Sequence, residues 1–279
     1  MRLGGPILEA FDGPAGWIAA LRQRGYTTAT WPLGADADDA TVDAFVAAAA
    51  EADIVIAEVG AWNNNPLNAN ENVRQQAIAN IQERLALADR VGACCCVNVA
   101  GSRGDRWDGP DAHNYSAEAF EQIVASVQTI IDGVRPTRTF YTLEPMPWML
   151  PDSVESYVAL LEAIDRPQFA VHFDPVNIVT HPRLYYDNGA MIRAFCAELG
   201  PHIKAVHAKD TLLHGDLTAH LDEVPPGQGN LDYATLLAEL EQLNPDMPVL
   251  MEHFHDESAY ETGAAYIRRV AAEVGVVVK

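Results

Sequence analysis

No stretch of this chain comes near the roughly 18 consecutive apolar residues that a membrane-spanning helix needs. Its opening, M-R-L-G-G-P-I-L, lacks a long apolar run behind a charged start. The expectation is a cytoplasmic protein without a membrane partner. Basic residues are scarce: 18 Lys and Arg stand against 39 Asp and Glu, a net charge of −21. So acidic a surface repels phosphate backbones and anionic lipids, which argues against nucleic acid and favours a small or neutral substrate. Cysteine is sparse as well, four residues with no C-x-x-C spacing for zinc. Cys94, Cys95 and Cys96 are consecutive, so on a strand they alternate faces and do not readily pair with one another; they read as small buried hydrophobes. No G-x-G-x-x-G follows the first apolar run, and no low-complexity tract interrupts the 279 residues.

What is present is an alternation of short apolar runs with helix-length segments. Strand-like runs fall at Arg2–Leu8, Tyr26–Pro32, Asp53–Val59, Ala93–Ala100, Thr139–Glu144, Phe169–Asp174, Ile203–Ala208 and Pro248–Glu252. Between and after them lie amphipathic or alanine-rich segments. Gly25 and Gly92 punctuate helix ends, and Ser116 is placed to cap a helix start. Continuous apolar strands between helices call for a parallel sheet covered by helices. Eight such units in a chain of this length fit one (β/α)₈ TIM barrel, α/β in class, with residues 1–279 as a single domain. A doubly wound open sheet is the alternative.

In a (β/α)₈ barrel the chemistry sits at the carboxyl ends of the strands. Glu144, Asp174, His207 and Glu252 end four of the runs, in L-E-P, H-F-D-P-V-N, V-H-A-K-D and V-L-M-E-H-F. Three carboxylates and an imidazole suit one divalent cation. Oxygen donors favour Mg²⁺ or Mn²⁺, and the imidazole shifts the balance toward Mn²⁺, Co²⁺ or Fe²⁺, with Zn²⁺ also possible. Such a cation binds adjacent substrate oxygens, polarises a carbonyl and acidifies the neighbouring C–H.

These motifs resemble the strand-end motifs of the xylose-isomerase-like barrel superfamily, whose members include sugar isomerases, ketose 3-epimerases, inosose-handling enzymes and endonuclease IV-type repair enzymes. E-V-G-A-W-N-N-N-P-L is similar to the substrate loop after strand three, with one extra Asn, and P-G-Q-G-N-L-D-Y resembles the segment that follows the metal-binding His. The resemblance covers nearly the whole chain. It implies that Glu144, Asp174, His207 and Glu252 ligate a metal, Mn²⁺ first. It also implies that Glu144 and Glu252 act as catalytic acid and base on opposite faces of the reacting carbon, and that the working form is a homo-oligomer.

The sequence departs from the epimerase pattern at two places. Asn177 stands where those enzymes carry His, and no Arg follows His207 closely. The H-x-K-D form looks like inosose-handling relatives and enzymes that cleave 3-oxo-glycosides. The expected activity is therefore a metal-dependent sugar isomerase or epimerase acting through an enediolate, with a dehydratase or lyase as the alternative. An endonuclease IV-like enzyme and a non-catalytic sugar-binding barrel rank below these.

Four further residues are candidates for substrate contact. Glu58 either accepts a substrate hydroxyl or braces a loop, and Trp62 either walls the sugar or covers the core. His172 shares a strand face with Asp174, where it contacts substrate or fills the core. Lys209 points with His207, into the pocket or toward an ion pair with Asp210. Arg103 and Arg106 read as solvated charges, Trp107 and Trp148 as possible aromatic walls, and His255 rather than His253 as the one facing the pocket.

Overall fold

A computed structural model describes residues 1–34 and 36–279. Strands β1 (Arg2–Gly4), β2 (Thr28–Thr30), β3 (Val55–Gly60), β4 (Cys95–Asn98), β5 (Phe140–Leu143), β6 (Phe169–Phe173), β7 (Ile203–Ala208) and β10 (Pro248–Met251) form one eight-stranded sheet in the order β1-β10-β7-β6-β5-β4-β3-β2. The long helices are α1 (Gly13–Gln23), α2 (Asp39–Glu51), α3 (Glu71–Val91), α4 (Ala117–Val134), α5 (Val154–Ile164), α8 (Asn188–Leu199), α9 (Tyr233–Leu243) and α10 (Glu257–Glu273). One follows each sheet strand, so the fold class is the expected (β/α)₈ barrel. Every residue of β4, β6 and β10 is buried, as strands covered on both faces must be.

Two compact units gather the contacts. In the unit comprising Glu58–Phe173 and His202–Lys204, β3, β4, β5 and β6 pair in parallel, with Glu58 opposite Cys95, Asn98 opposite Leu143 and Tyr141 opposite Phe169. In the other, built from Met1–Ala57, Asp174–Pro201 and Ala205–Lys279, β10 lies between β1 and β7, with Leu250 opposite both Gly4 and His207.

Local chemistry sets the boundaries. Asp38, Asn70, Ser116, Ser153, Asp232 and Asp256 each cap a helix by accepting a backbone N–H with the side chain. Gly92 ends α3 at φ 71°, in the left-handed region. The first strand stops at Gly4 rather than reaching Leu8, because Pro6 has no N–H to give a ladder.

Two short helices and a hairpin lie outside the sequence-based expectation. Short helices α6 (Pro175–Ile178) and α7 (Pro182–Tyr186) each begin with a proline, and β8 (Asp210–His214) pairs with β9 (His220–Val224) as an antiparallel hairpin directly after β7. The hairpin is largely half-buried or exposed, so it lacks the continuous apolar run that marks the sheet strands.

Candidate metal and catalytic site

Asp174, His207 and Glu252 are delivered by strand ends. Asp174 follows β6 and caps α6, its Oδ1 accepting the N–H groups of Val176 and Asn177 at 3.0 and 3.2 Å. Its Oδ2 is fully buried and turned away from the α6 N–H groups. His207 lies on β7 beside β10, and its Nδ1 is 3.0 Å from Glu252 Oε1 and 3.8 Å from Asp174 Oδ2. Lys209, two residues on and facing the same way, reaches these carboxylates. Its Nζ stands 2.5 Å from Asp174 Oδ2, 2.6 Å from Glu252 Oε1 and 3.5 Å from Glu223 Oε2 on the hairpin.

Burial alone would raise the Glu252 carboxyl. The charges of His207 and Lys209 outweigh it and hold the group well below the usual carboxylate range. His253 is held above its ordinary value by its hydrogen bond to Glu223, against the pull of burial.

In the other unit the buried pair is Glu58 and His172, with Glu58 Oε2 3.1 Å from His172 Nε2. Glu58 is not the last residue of its strand, since β3 runs on to Gly60. The Tyr157 hydroxyl donates to the Leu143 carbonyl and accepts the His172 N–H at 3.2 Å, joining the ends of β5 and β6. Burial pushes that hydroxyl far above the usual tyrosine value. Glu144 is the residue after β5, 5 % exposed, with its N–H donating to the Asn98 carbonyl at 2.8 Å. Asn98 Nδ2 donates to the Asn64 carbonyl at 3.2 Å, and Asn65 exchanges hydrogen bonds with the Ser102 backbone, which pins the W-N-N-N-P loop. Trp62 is half-buried and folds back on Gly60, where an added Cβ would meet its Nε1 at 2.2 Å.

Among the described residues, ligand-type side chains gather in each unit: Asp174, His207 and Glu252, with one donor atom each within 4.8 Å of one another, and the pair Glu58 and His172. The first group fits a divalent cation on its chemistry. It offers carboxylate oxygens, that of Asp174 fully buried, together with an imidazole.

Several expectations change. Of the two readings for Lys209, the buried one fits: the lysine is fully buried among the carboxylates of Asp174 and Glu252. Asp210 instead accepts the N–H groups of Thr211, Gly227, Gly229 and Leu231 at 2.8, 2.9, 3.1 and 2.8 Å. His255 is exposed, while His253 contacts Glu223 and lies 3.6 Å from Glu252. The alternation of faces fails there because β10 ends at Met251 and His253 takes φ 66°. Trp148 braces a loop by donating to the Asp108 carbonyl at 2.6 Å, and Trp107 lines a groove with Asn63, Asn64 and Asn72. Arg106 is exposed beside Asp108, and Arg103 reaches Gln122. Cys95, Cys96 and Cys196 are buried, and burial pushes the Cys96 thiol far up. Sequence reading passed over Glu223 and Tyr157. Nothing marks a tyrosine inside a helix as a bridge between strands, and Glu223 sits in the hairpin, outside the strand-like runs of the sequence.

The sequence pattern of the xylose isomerase-like TIM barrel family matches residues 18–270. The chain belongs to this family. No curated protein matches the chain. Among solved structures, a D-tagatose 3-epimerase-like protein is 18 % identical with a TM-score of 0.73, covering 99 % of this chain and 98 % of its own. The 3-keto-D-glucoside 4-epimerase from E. coli is 16 % identical with a TM-score of 0.69, covering 96 % and 99 %. A family member from Mycobacterium smegmatis, solved in complex with magnesium, is 16 % identical with a TM-score of 0.68, covering 97 % and 92 %. At these identities the likeness carries the fold. Within the family, no helix among the described residues of this chain is long and apolar enough to cross a membrane.

Proposed function

We propose that the protein is a divalent-metal-dependent isomerase or epimerase of a sugar or sugar-like carbonyl compound. The observation that carries this reading is the buried convergence of Asp174, His207 and Glu252 at the ends of neighbouring barrel strands. Glu144 joins them as the fourth ligand, and Mn²⁺ suits the mixed oxygen and imidazole set, with Mg²⁺ next. Fold neighbours that are sugar epimerases, and one that is a magnesium complex, support the substrate class and the cation.

The cation supplies electrophilic polarisation of a substrate carbonyl, which acidifies the adjacent C–H. The chain's own residues do the rest. Glu252 is held ionised, as a base must be. Glu144 is the second proton carrier, returning a proton to the opposite face of the carbon. His172, fixed by Glu58 and Tyr157, and Lys209 line the substrate side, with Glu58 and Trp62 as further contacts. Glu144→Gln and Glu252→Gln are each expected to lower turnover by about 10²-fold or more while circular dichroism stays unchanged, a magnitude typical of lost general acid–base catalysis. Full activity in either variant removes that residue from the mechanism.

A second reading keeps the metal and the enolate but expels a β-substituent, as a dehydratase or lyase acting on an inosose or 3-oxo-glycoside does. It is favoured by Lys209, whose buried ammonium beside Glu252 would stabilise an enolate oxygen brought to that site. The net charge of −21 weighs against a DNA repair role. The intact ligand set weighs against a purely binding barrel. We also propose a homo-oligomeric working form.

A further inference from the structure

Lys209 is one of the largest side chains to be completely buried, and its ammonium lies inside the ligand cluster. It contacts Asp174 Oδ2 at 2.5 Å and Glu252 Oε1 at 2.6 Å. Both carboxylates are ligands in the proposed metal site. Charges buried this deeply require a partner, and Lys209 neutralises them from within the chain.

We propose that Lys209 is an internal counter-ion that competes with the divalent cation. The ammonium and the cation exclude one another from the Asp174 and Glu252 oxygens, so loading the site moves Lys209 Nζ off that pair. The inference rests on the metal-site reading. Its physical basis is the crowding of positive charge. A cation at its usual ~2.0–2.2 Å from those oxygens would stand close to the ammonium, which lies 2.5 and 2.6 Å from the same atoms. Two cations so close repel strongly in a dry interior.

The backbone leaves the change to the side chain. The Lys209 carbonyl accepts the Tyr233 hydroxyl at 2.8 Å, and the next residue, Asp210, is held by four backbone N–H groups. The flexible four-carbon stem can swing about that anchor. Glu223, 3.5 Å from Nζ and partly exposed, is the carboxylate that retains the displaced ammonium. Cations that bind too weakly to evict Lys209 are thereby refused.

The test is calorimetric titration of Mn²⁺ and Mg²⁺ into the wild type and Lys209→Met, joined to NMR of the Lys209 ammonium, assigned by its loss in the variant. Lys209→Met is expected to bind both cations at least tenfold more tightly, and the wild-type ammonium signal to shift or vanish as Mg²⁺ saturates. If the variant folds only with a cation, it is prepared with Mn²⁺ and its affinity measured by chelator competition, with the same tenfold expectation. Equal or weaker affinity in Lys209→Met, or an ammonium signal unmoved at saturating Mg²⁺, overturns the competition and leaves the metal site standing. No cation binding by either protein overturns both.

Discussion

Tyr157 shows how single side chains hold this site together. It projects from α5, is completely buried, and its hydroxyl serves the Leu143 carbonyl and the His172 N–H at once. Glu144 follows Leu143 directly, and His172 pairs with Glu58, so one phenol positions two strands that carry proposed site residues. Tyr157→Phe leaves both backbone groups without this partner. Leaving buried polar groups unsatisfied costs roughly 1–3 kcal/mol each. Urea denaturation should show a loss of about that size, and an unchanged midpoint would deny the bridge its role. The four proposed ligands are singled out in the sequence because each falls at the end of an apolar run, in L-E-P, F-D-P, V-H-A-K and M-E-H. Tyr157 was not legible, since its partners are backbone atoms fixed only by folding.

At the scale of elements, the segment after β7 carries most of what the sequence did not reveal. Asp210 gathers the P-G-Q-G-N turn by accepting N–H groups from Gly227, Gly229 and Leu231 as well as Thr211. Burial pushes its carboxyl upward, against the pull of those donors. Gly229 packs so tightly there that an added Cβ would lie 2.2 Å from the Thr211 carbonyl. Asp210→Asn replaces one accepting oxygen by a donor and should destabilise the turn by about 1–3 kcal/mol. Hydrogen exchange should quicken at Gly227, Gly229 and Leu231 while the sheet strands stay protected. Uniform protection in the variant would show that the turn is held by other contacts. The hairpin escaped sequence reading because its strands are half-exposed and mixed in character, whereas β4, β6 and β10 announce themselves as unbroken buried runs. Period-two reasoning placed Lys209 with His207 correctly, and it failed at His253 because the chain had already left the strand.

For the whole molecule, the barrel was readable from the count and spacing of apolar runs, while the substrate was not. The proposed substrate contacts include Lys209, whose partners Asp174, Glu223 and Glu252 come from distant segments. The expected homo-oligomer belongs to this scale: light scattering at working concentration should return a mass above the 30.3 kDa of one chain. A monomer mass contradicts it. The most direct test of metal-assisted proton transfer beside a carbonyl is NMR in D₂O with Mg²⁺, scanning ketoses, inososes and 3-oxo-glycosides. The predicted result is deuterium entering at the carbon next to the carbonyl together with a new isomer, both abolished by a chelator and restored by the cation. Loss of water or of an aglycone in place of the isomer selects the lyase reading. No exchange with any of these compounds, in protein shown by calorimetry to hold its cation, would contradict the proposed chemistry.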